Sequence, residues 1–308
     1  MKISIVGAGN VGGLTAMRIL EEGIAEVVLV DIAKGLAKAK AFDLDDARYL
    51  IGHPNQIEGT EDFSSISDSD VVVVTAGLAR KPGMTREDLL KRNYDILKEV
   101  AKHIKNYSPN SIVICVSNPV DIMAYVMLKE TGFNKEKVLG MGAGLDTSRF
   151  ANLIAKKLNV PTKSVNALVM GSHGQTMIPL PRFTTVDGKL LTELLDKKEV
   201  DELVKATKER GAEIVSLYGS GSAYFAPSAA ILDICYAIVN NDYRIIPVAC
   251  YLEGEHGVNG IYIGVPAKIN RDGVREIIQI DLNEEEKNLF FESAKDIKAS
   301  IDVIFPKT

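Results

Sequence analysis

The chain has 308 residues, 46% of them hydrophobic and 25% charged, with a formal net charge of −5 at pH 7. That length suits one large or two medium domains with a full core, and the acidic balance offers no electrostatic footprint for nucleic acid. No apolar run reaches the roughly 18–20 residues needed to cross a bilayer, so neither a membrane nor nucleic acid is an expected partner. The chain opens on a strand of core character, from which we expect no signal peptide and a cytoplasmic location. Cys115, Cys235 and Cys250 lack C-x-x-C spacing and sit among apolar neighbours, as buried free thiols do.

Lys2 to Asp31 reads as strand, glycine turn, amphipathic helix, strand and acid. The turn is Gly7-Ala8-Gly9-Asn10-Val11-Gly12. Gly7 permits a tight turn, Gly9 lets backbone approach a pyrophosphate, and Gly12 lets helix and strand pack closely. The helix N-terminus then offers free N–H groups to the phosphates. Asp31 stands where a carboxylate accepts from the adenosine ribose hydroxyls. It favours NAD over NADP, because it repels a 2′-phosphate, although Lys34, Lys38 and Lys40 follow it.

A helix is expected from Leu36 to Leu50. Its Asp43, Asp45 and Asp46 point in different directions on a helix, so we expect a solvated or subunit-contact face and no metal site. Val71 to Thr75 is a run without polar alternation, predicting a strand buried on both faces, as in a parallel sheet. Its carboxyl end is where such sheets bind ligands. Arg80, Lys81 and Arg86 crowd the loop that follows. Thr85-x-x-Asp88 then starts a helix with Leu89, Asn93, Leu97, Val100, Ala101 and Ile104 on one face. Ser111 to Val116 predicts another buried strand, running into Ser117-Asn118-Pro119-Val120-Asp121. Asn118 suits a hydrogen bond to nicotinamide or substrate, or an ordinary helix N-cap. A short strand at Lys137 to Met141 leads to Gly142-Ala143-Gly144, the expected domain junction. The fold class is therefore α/β, a doubly wound parallel sheet of Rossmann type over 1–143, followed by an α+β substrate domain over 144–308.

In the second half a helix is expected from Asp146 to about Leu158, with Asp146 and Arg149 on one face. Val165 to Met170 predicts a strand that ends on Gly171-Ser172-His173-Gly174-Gln175, a histidine left sterically open by small neighbours. A β-turn is expected at Val186-Asp187-Gly188-Lys189, helices over Leu191 to Arg210 and Ala223 to Asn240, and strands near Ile245 to Leu252 and Ile261 to Val265. The turn between those strands carries His256. A final helix is expected from Glu284 to Val303.

The stretches GAGNVG, VTAGLARKPGMTREDLL, VSNPVD, GLDTSRF, GSHGQTMIPL, LEGEHGV and GVPAKI follow one another as in the lactate/malate dehydrogenase family. Over nearly its whole length the chain resembles that family, and within it the lactate-dehydrogenase-like malate dehydrogenases. The resemblance implies hydride transfer between C2 of a 2-hydroxy acid and NAD while a base takes the hydroxyl proton. It assigns the base to His173, whose kind titrates near neutral pH, and the carboxylate that orients the ring to Asp146. Arg149 would hold the substrate carboxylate in a two-pronged contact. Arg86 would polarise the C2 oxygen as the loop closes. Asn118 would bond substrate or nicotinamide, and Asn93, Val116 and Ser117 would face the coenzyme. His256 lies in a similar Gly-Glu-His-Gly stretch, but His173 follows the Asp146/Arg149 pair at the family distance and precedes the matching Met177-Ile178-Pro179-Leu180 run.

Arg80 turns the expectation towards a dicarboxylate, (S)-malate or oxaloacetate. Lactate enzymes typically carry glutamine at the matching position, and an arginine without its anion is a costly charge in a closed site. The alternative is an L-lactate or other 2-hydroxy-acid dehydrogenase. An NAD-dependent glycosidase would need metal ligands that the chain lacks, and a nucleotide-sensing module would have no use for Asp146, Arg149 and His173 together. Gln175 departs from the aspartate common after the family's His-Gly step. Family resemblance further implies a homotetramer or homodimer.

Overall fold

A computed structural model describes residues 1–78 and 85–306, with Arg86 described through its backbone alone. The first half alternates strands with helices. β1 (Lys2–Val6) leads to α1 (Asn10–Glu21), β2 (Glu26–Val30), α2 (Leu36–Ile51), β3 (Ile57–Thr60) and β4 (Val71–Val74). Then follow α3 (Arg86–Tyr107), β5 (Ile112–Cys115), α4 (Val120–Thr131) and β6 (Val138–Gly140). The six strands pair in parallel in the order 3-2-1-4-5-6. The four valines of β4 are fully buried, because helices cover both faces of a parallel sheet. Strand order reverses between β1 and β4, and a ligand crevice opens at their carboxyl ends for that reason.

The glycine loop is closed by contacts that no side chain tolerates. Gly7 has φ +110°, and a Cβ there would stand 2.6 Å from Thr75 Oγ1. A Cβ on Gly12 would stand 1.9 Å from the Gly7 carbonyl oxygen. At the far side of the crevice, α3 starts at the expected capping box. Thr85 Oγ1 accepts from the Asp88 N–H at 3.0 Å, and the Asp88 carboxylate accepts from the Thr85 N–H. Asn93, Leu97, Val100, Ala101 and Ile104 are buried as the spacing predicts, while Leu89 is half-buried and Leu90 is buried beside them.

The second half comprises α5 (Ala143–Leu158), β7 (Val165–Asn166), β8 (Val169–Gly171), β9 (Met177–Pro179), β10 (Thr185–Val186), β11 (Lys189–Leu190) and α6 (Leu191–Leu194). Next come α7 (Lys197–Tyr218), α8 (Phe225–Asn240), β12 (Arg244–Glu253), β13 (Asn259–Asn270), β14 (Gly273–Ile277) and α9 (Glu284–Ile304). No linker separates the halves. Gly142 turns the chain straight into α5, and β12 joins β6 antiparallel through Ala249 and Gly140. Among the described residues the result is one eleven-stranded sheet reaching from β3 to β9, with a separate three-stranded sheet of β7, β10 and β11.

Several of the expected elements differ in the structure. The strand expected over 165–170 divides, because Val165–Asn166 pairs with β10 in the small sheet while Val169–Gly171 pairs with β9 and β13 in the large one. The helix expected over 191–210 breaks at Asp196, which accepts from the Glu199 N–H and starts α7 with its own capping box. The strand near Ile261 extends over twelve residues, because it pairs with β12 on one side and with β14, absent from the sequence expectation, on the other.

Gly12→Ala pushes the Gly7 carbonyl aside. We expect a loss of about 1–3 kcal/mol of stability and weaker NADH binding, read by urea unfolding and fluorescence titration. Unchanged values in both would contradict the close approach.

Candidate active site

The crevice begins at the glycine loop. Gly9 is the N-cap of α1 and supplies no side-chain cap, so the first helical N–H groups stay available. A Cβ at Gly9 would meet no heavy atom within 4 Å, so the space in front of these donors is open. Asp31 closes the loop from the end of β2. Its Oδ2 accepts from the Ala8 N–H at 2.6 Å and its Oδ1 from the Ala33 N–H at 2.8 Å. Lys40 donates to the Gly9 carbonyl at 2.9 Å; burial lowers its pKa, and Asp31 works against that.

From Gly9, Asn10, Val11 and Gly12 a cavity of about 550 Å³ runs past Asn93, Val116, Ser117 and Asn118 to Arg149 and His173. Gly7, Ala8 and Asp31 are not among the residues that line it. Asn93 is buried and its amide fastens the two strand-end loops together. It accepts from the Leu78 N–H at 2.8 Å and donates to the Asn118 carbonyl at 2.7 Å. Ser117 donates to the Ala76 carbonyl. Asn118 precedes a cis peptide bond to Pro119; Pro119, not Asn118, is the N-cap of α4, and the Asn118 amide has no hydrogen bond among the described residues.

At the far end, Asp146 lies in the first turn of α5 with 1% exposure, and each of its oxygens holds a different partner. Oδ2 lies 2.7 Å from His173 Nδ1, and Oδ1 accepts from Arg149 Nη1 at 3.0 Å. Nδ1 being so engaged, Nε2 is the ring nitrogen left for the cavity. Burial pulls the His173 pKa down and Asp146 pushes it up. Arg149 opposes the rise, Asp121 adds to it, and the balance lies above the ordinary imidazole value of 6.5. Gly142 makes room for the ring, since a Cβ there would stand 2.8 Å from His173 Cβ. Arg149 is itself nearly buried, and its Nε finds no acceptor among the described residues. A buried guanidinium with unspent donors, facing a cavity beside a histidine, is suited to a small carboxylate.

Two family models match the chain. Residues 1–140 match the model of the lactate/malate dehydrogenase NAD binding domain, and residues 143–308 that of the lactate/malate dehydrogenase alpha/beta C-terminal domain. The malate dehydrogenase of Methanosarcina acetivorans is 48% identical over 97% of this chain and 98% of its own. A malate dehydrogenase structure from Salinibacter ruber superposes with a TM-score of 0.95 at 41% identity, covering 99% of this chain and 98% of that one.

The chain belongs to the lactate/malate dehydrogenase family.

It is an NAD-dependent oxidoreductase of that family. A lactate dehydrogenase structure from Cryptosporidium parvum, in complex with lactic acid and the cofactor, also superposes, with a TM-score of 0.96 at 35% identity over 100% of this chain and 98% of that one.

Two expected residues stay outside this geometry. Arg80 falls in 79–84, beyond the described residues, and Arg86 is described only as the first residue of α3. His256 is in a different setting from His173. Its ring packs on Phe290 at 5.6 Å between centroids, burial lowers its pKa, and its Nε2 has no partner among the described residues. Gln175 is exposed at the cavity rim. Two charged groups near the site have no counterpart in the sequence analysis. Lys208 of α7 lines the cavity half-buried, and burial lowers its pKa. Asp121 of α4 is buried and bonds to the His173 main chain. The signal for Asp121 is a single carboxylate inside an otherwise apolar helix start, Val120-Asp121-Ile122-Met123-Ala124.

In Asp146→Asn the support for the imidazolium is removed. We expect the His173 ring titration, followed by NMR at its Cε1 proton, to fall by about one pH unit or more. An unmoved midpoint would contradict the coupling.

Proposed function

We propose that the chain interconverts (S)-malate and oxaloacetate with NAD, His173 being the proton acceptor in oxidation and the proton donor in reduction. The observation that carries this reading is the shared Asp146 carboxylate. It presents a histidine of raised proton affinity and a buried, under-used guanidinium to one cavity that opens on the glycine loop. The 48% full-length identity to a malate dehydrogenase supports the substrate.

NAD supplies the hydride acceptor and donor. The chain's own residues do the rest. Gly7 and Ala8 shape the turn by which Gly9, Asn10, Val11 and Gly12 bring backbone to the pyrophosphate, and Asp31 accepts from the ribose. Asn93 braces the cleft wall formed by Val116 and Ser117. Arg149 grips the C1 carboxylate and fixes the substrate's orientation. His173 Nε2 takes the C2 hydroxyl proton, and Asp146 stabilises the imidazolium that results. Asn118 turns its free amide to the substrate. Arg86 polarises the C2 oxygen, and Arg80 meets the second carboxylate. We assign residues 1–143 to the NAD-binding domain and 144–308 to the catalytic domain.

A homodimer or homotetramer is supported by α2. It exposes Phe42, Tyr49, Leu50 and Ile51, with Tyr49 93% and Leu50 84% exposed. Such a stripe suits burial against a second copy. No helix among the described residues is long and apolar enough to cross a membrane, and we place the enzyme in the cytoplasm.

A lactate-type reaction is the second reading, favoured by the close superposition of the Cryptosporidium lactate dehydrogenase. NADH oxidation with oxaloacetate and pyruvate in parallel separates the two. We expect a strong preference for oxaloacetate in the wild type. Arg80→Gln should erode it roughly ten- to over a hundredfold, the worth of one charge-assisted hydrogen bond. Preference for pyruvate in the wild type would contradict the malate reading; unchanged relative rates in the variant would overturn the role of Arg80.

A further inference from the structure

We propose that Asp121 is a positioning residue for His173, a second buried carboxylate that holds the histidine's main chain while Asp146 holds its ring. This role rests on His173 being the proton-transferring group.

Asp121 sits in the first turn of α4 at 2% exposure, among apolar neighbours. Its Oδ2 accepts two hydrogen bonds, from the His173 N–H at 2.9 Å and from Ser172 Oγ at 2.9 Å. The Ser172 N–H in turn donates to Ser293 Oγ of α9 at 2.8 Å. The two residues that follow β8 are thus tied to two helices from different parts of the chain. Because α4 starts at the cavity wall beside Asn118, the same carboxylate links the position of the histidine to that wall.

A neutral oxygen would suffice for two hydrogen bonds. A buried carboxylate costs several kcal/mol in desolvation, so its charge calls for a reason. His173 supplies one, since an imidazolium there is stabilised by the charge of Asp121 as well as by that of Asp146. Burial raises the Asp121 pKa to about 6, against the opposing hydrogen bonds from His173 and Ser172 and the His173 charge, while Asp146 raises it further. The titratable groups around it are therefore His173, Asp146 of α5 and the buried Cys115 thiol of β5. Asp121 in turn raises the His173 pKa. Two groups coupled in this way release their protons in steps that belong to the pair.

Asp121→Asn keeps an acceptor oxygen and removes the charge, and the native protein provides a second measurement that needs no variant. The chain has four histidines, so the His173 Cε1 proton can be assigned by comparison with His173→Gln. In Asp121→Asn we expect its titration midpoint to fall, by less than in Asp146→Asn, and the pH limb of kcat/KM for oxaloacetate to move the same way. Ser172→Ala, which removes a donor and no charge, should leave the midpoint nearly unmoved. In the native protein the Asp121 carboxyl carbon should titrate in two steps, one coinciding with His173. A midpoint unmoved in Asp121→Asn, or a single Asp121 step independent of His173, would overturn the proposal. The NMR midpoints are read without turnover. Wild-type inactivity on oxaloacetate would thus count against the malate reading and leave the result for Asp121 legible.

Discussion

One carboxylate, Asp146, holds Arg149 with one oxygen and His173 with the other, almost wholly out of water. An ion so buried costs several kcal/mol to desolvate, and losing one partner of such a pair costs about 3–5 kcal/mol. The first turn of α5 offsets part of that cost through its dipole, and the two partners offset the rest. The cleft end is organised by this need. Arg149 stays oriented with unspent donors, and the histidine keeps one tautomer-defining contact and one free nitrogen.

The rest of the fold sets that pair at the end of the cavity that begins at the glycine loop. The sheet does not stop at the end of the parallel strands; β12 attaches to β6, so the glycine loop and the histidine ride on one continuous frame. Gly142 and Gly12 play matching parts at the two ends. Each lacks a side chain where another element comes within contact distance, the His173 ring in one case and the Gly7 carbonyl in the other. Asn93 holds together the two strand-end loops that line the space between them.

Much of this is legible in the sequence. The glycine loop, the capping box at Thr85 and Asp88, and the buried face of α3 are written in local sequence, because each depends on residues within a turn or two. The i,i+3 spacing of Asp146 and Arg149 foretold their contact for the same reason. What could not be read depends on pairing between distant segments. The division of 165–170 between two sheets follows from partners far away in the chain, and so does the extension of β13. Asp121 was a single acid in an apolar helix start, and only the fold shows that it faces residues 172 and 173, some fifty positions on. Lys208 lies on a helix rich in lysines whose other members are exposed, so nothing in the local pattern set it apart.

The pH dependence of kcat/KM in both directions on one preparation tests the central claim, that Asp146 keeps His173 protonated above the ordinary imidazole range. The account predicts two limbs of opposite slope. On this account oxaloacetate reduction uses the protonated ring, so it should hold at low pH and fall as pH rises through a midpoint above 6.5. Malate oxidation needs the neutral ring and should rise through the same region. Limbs of equal sign, or midpoints below 6.5, would contradict it.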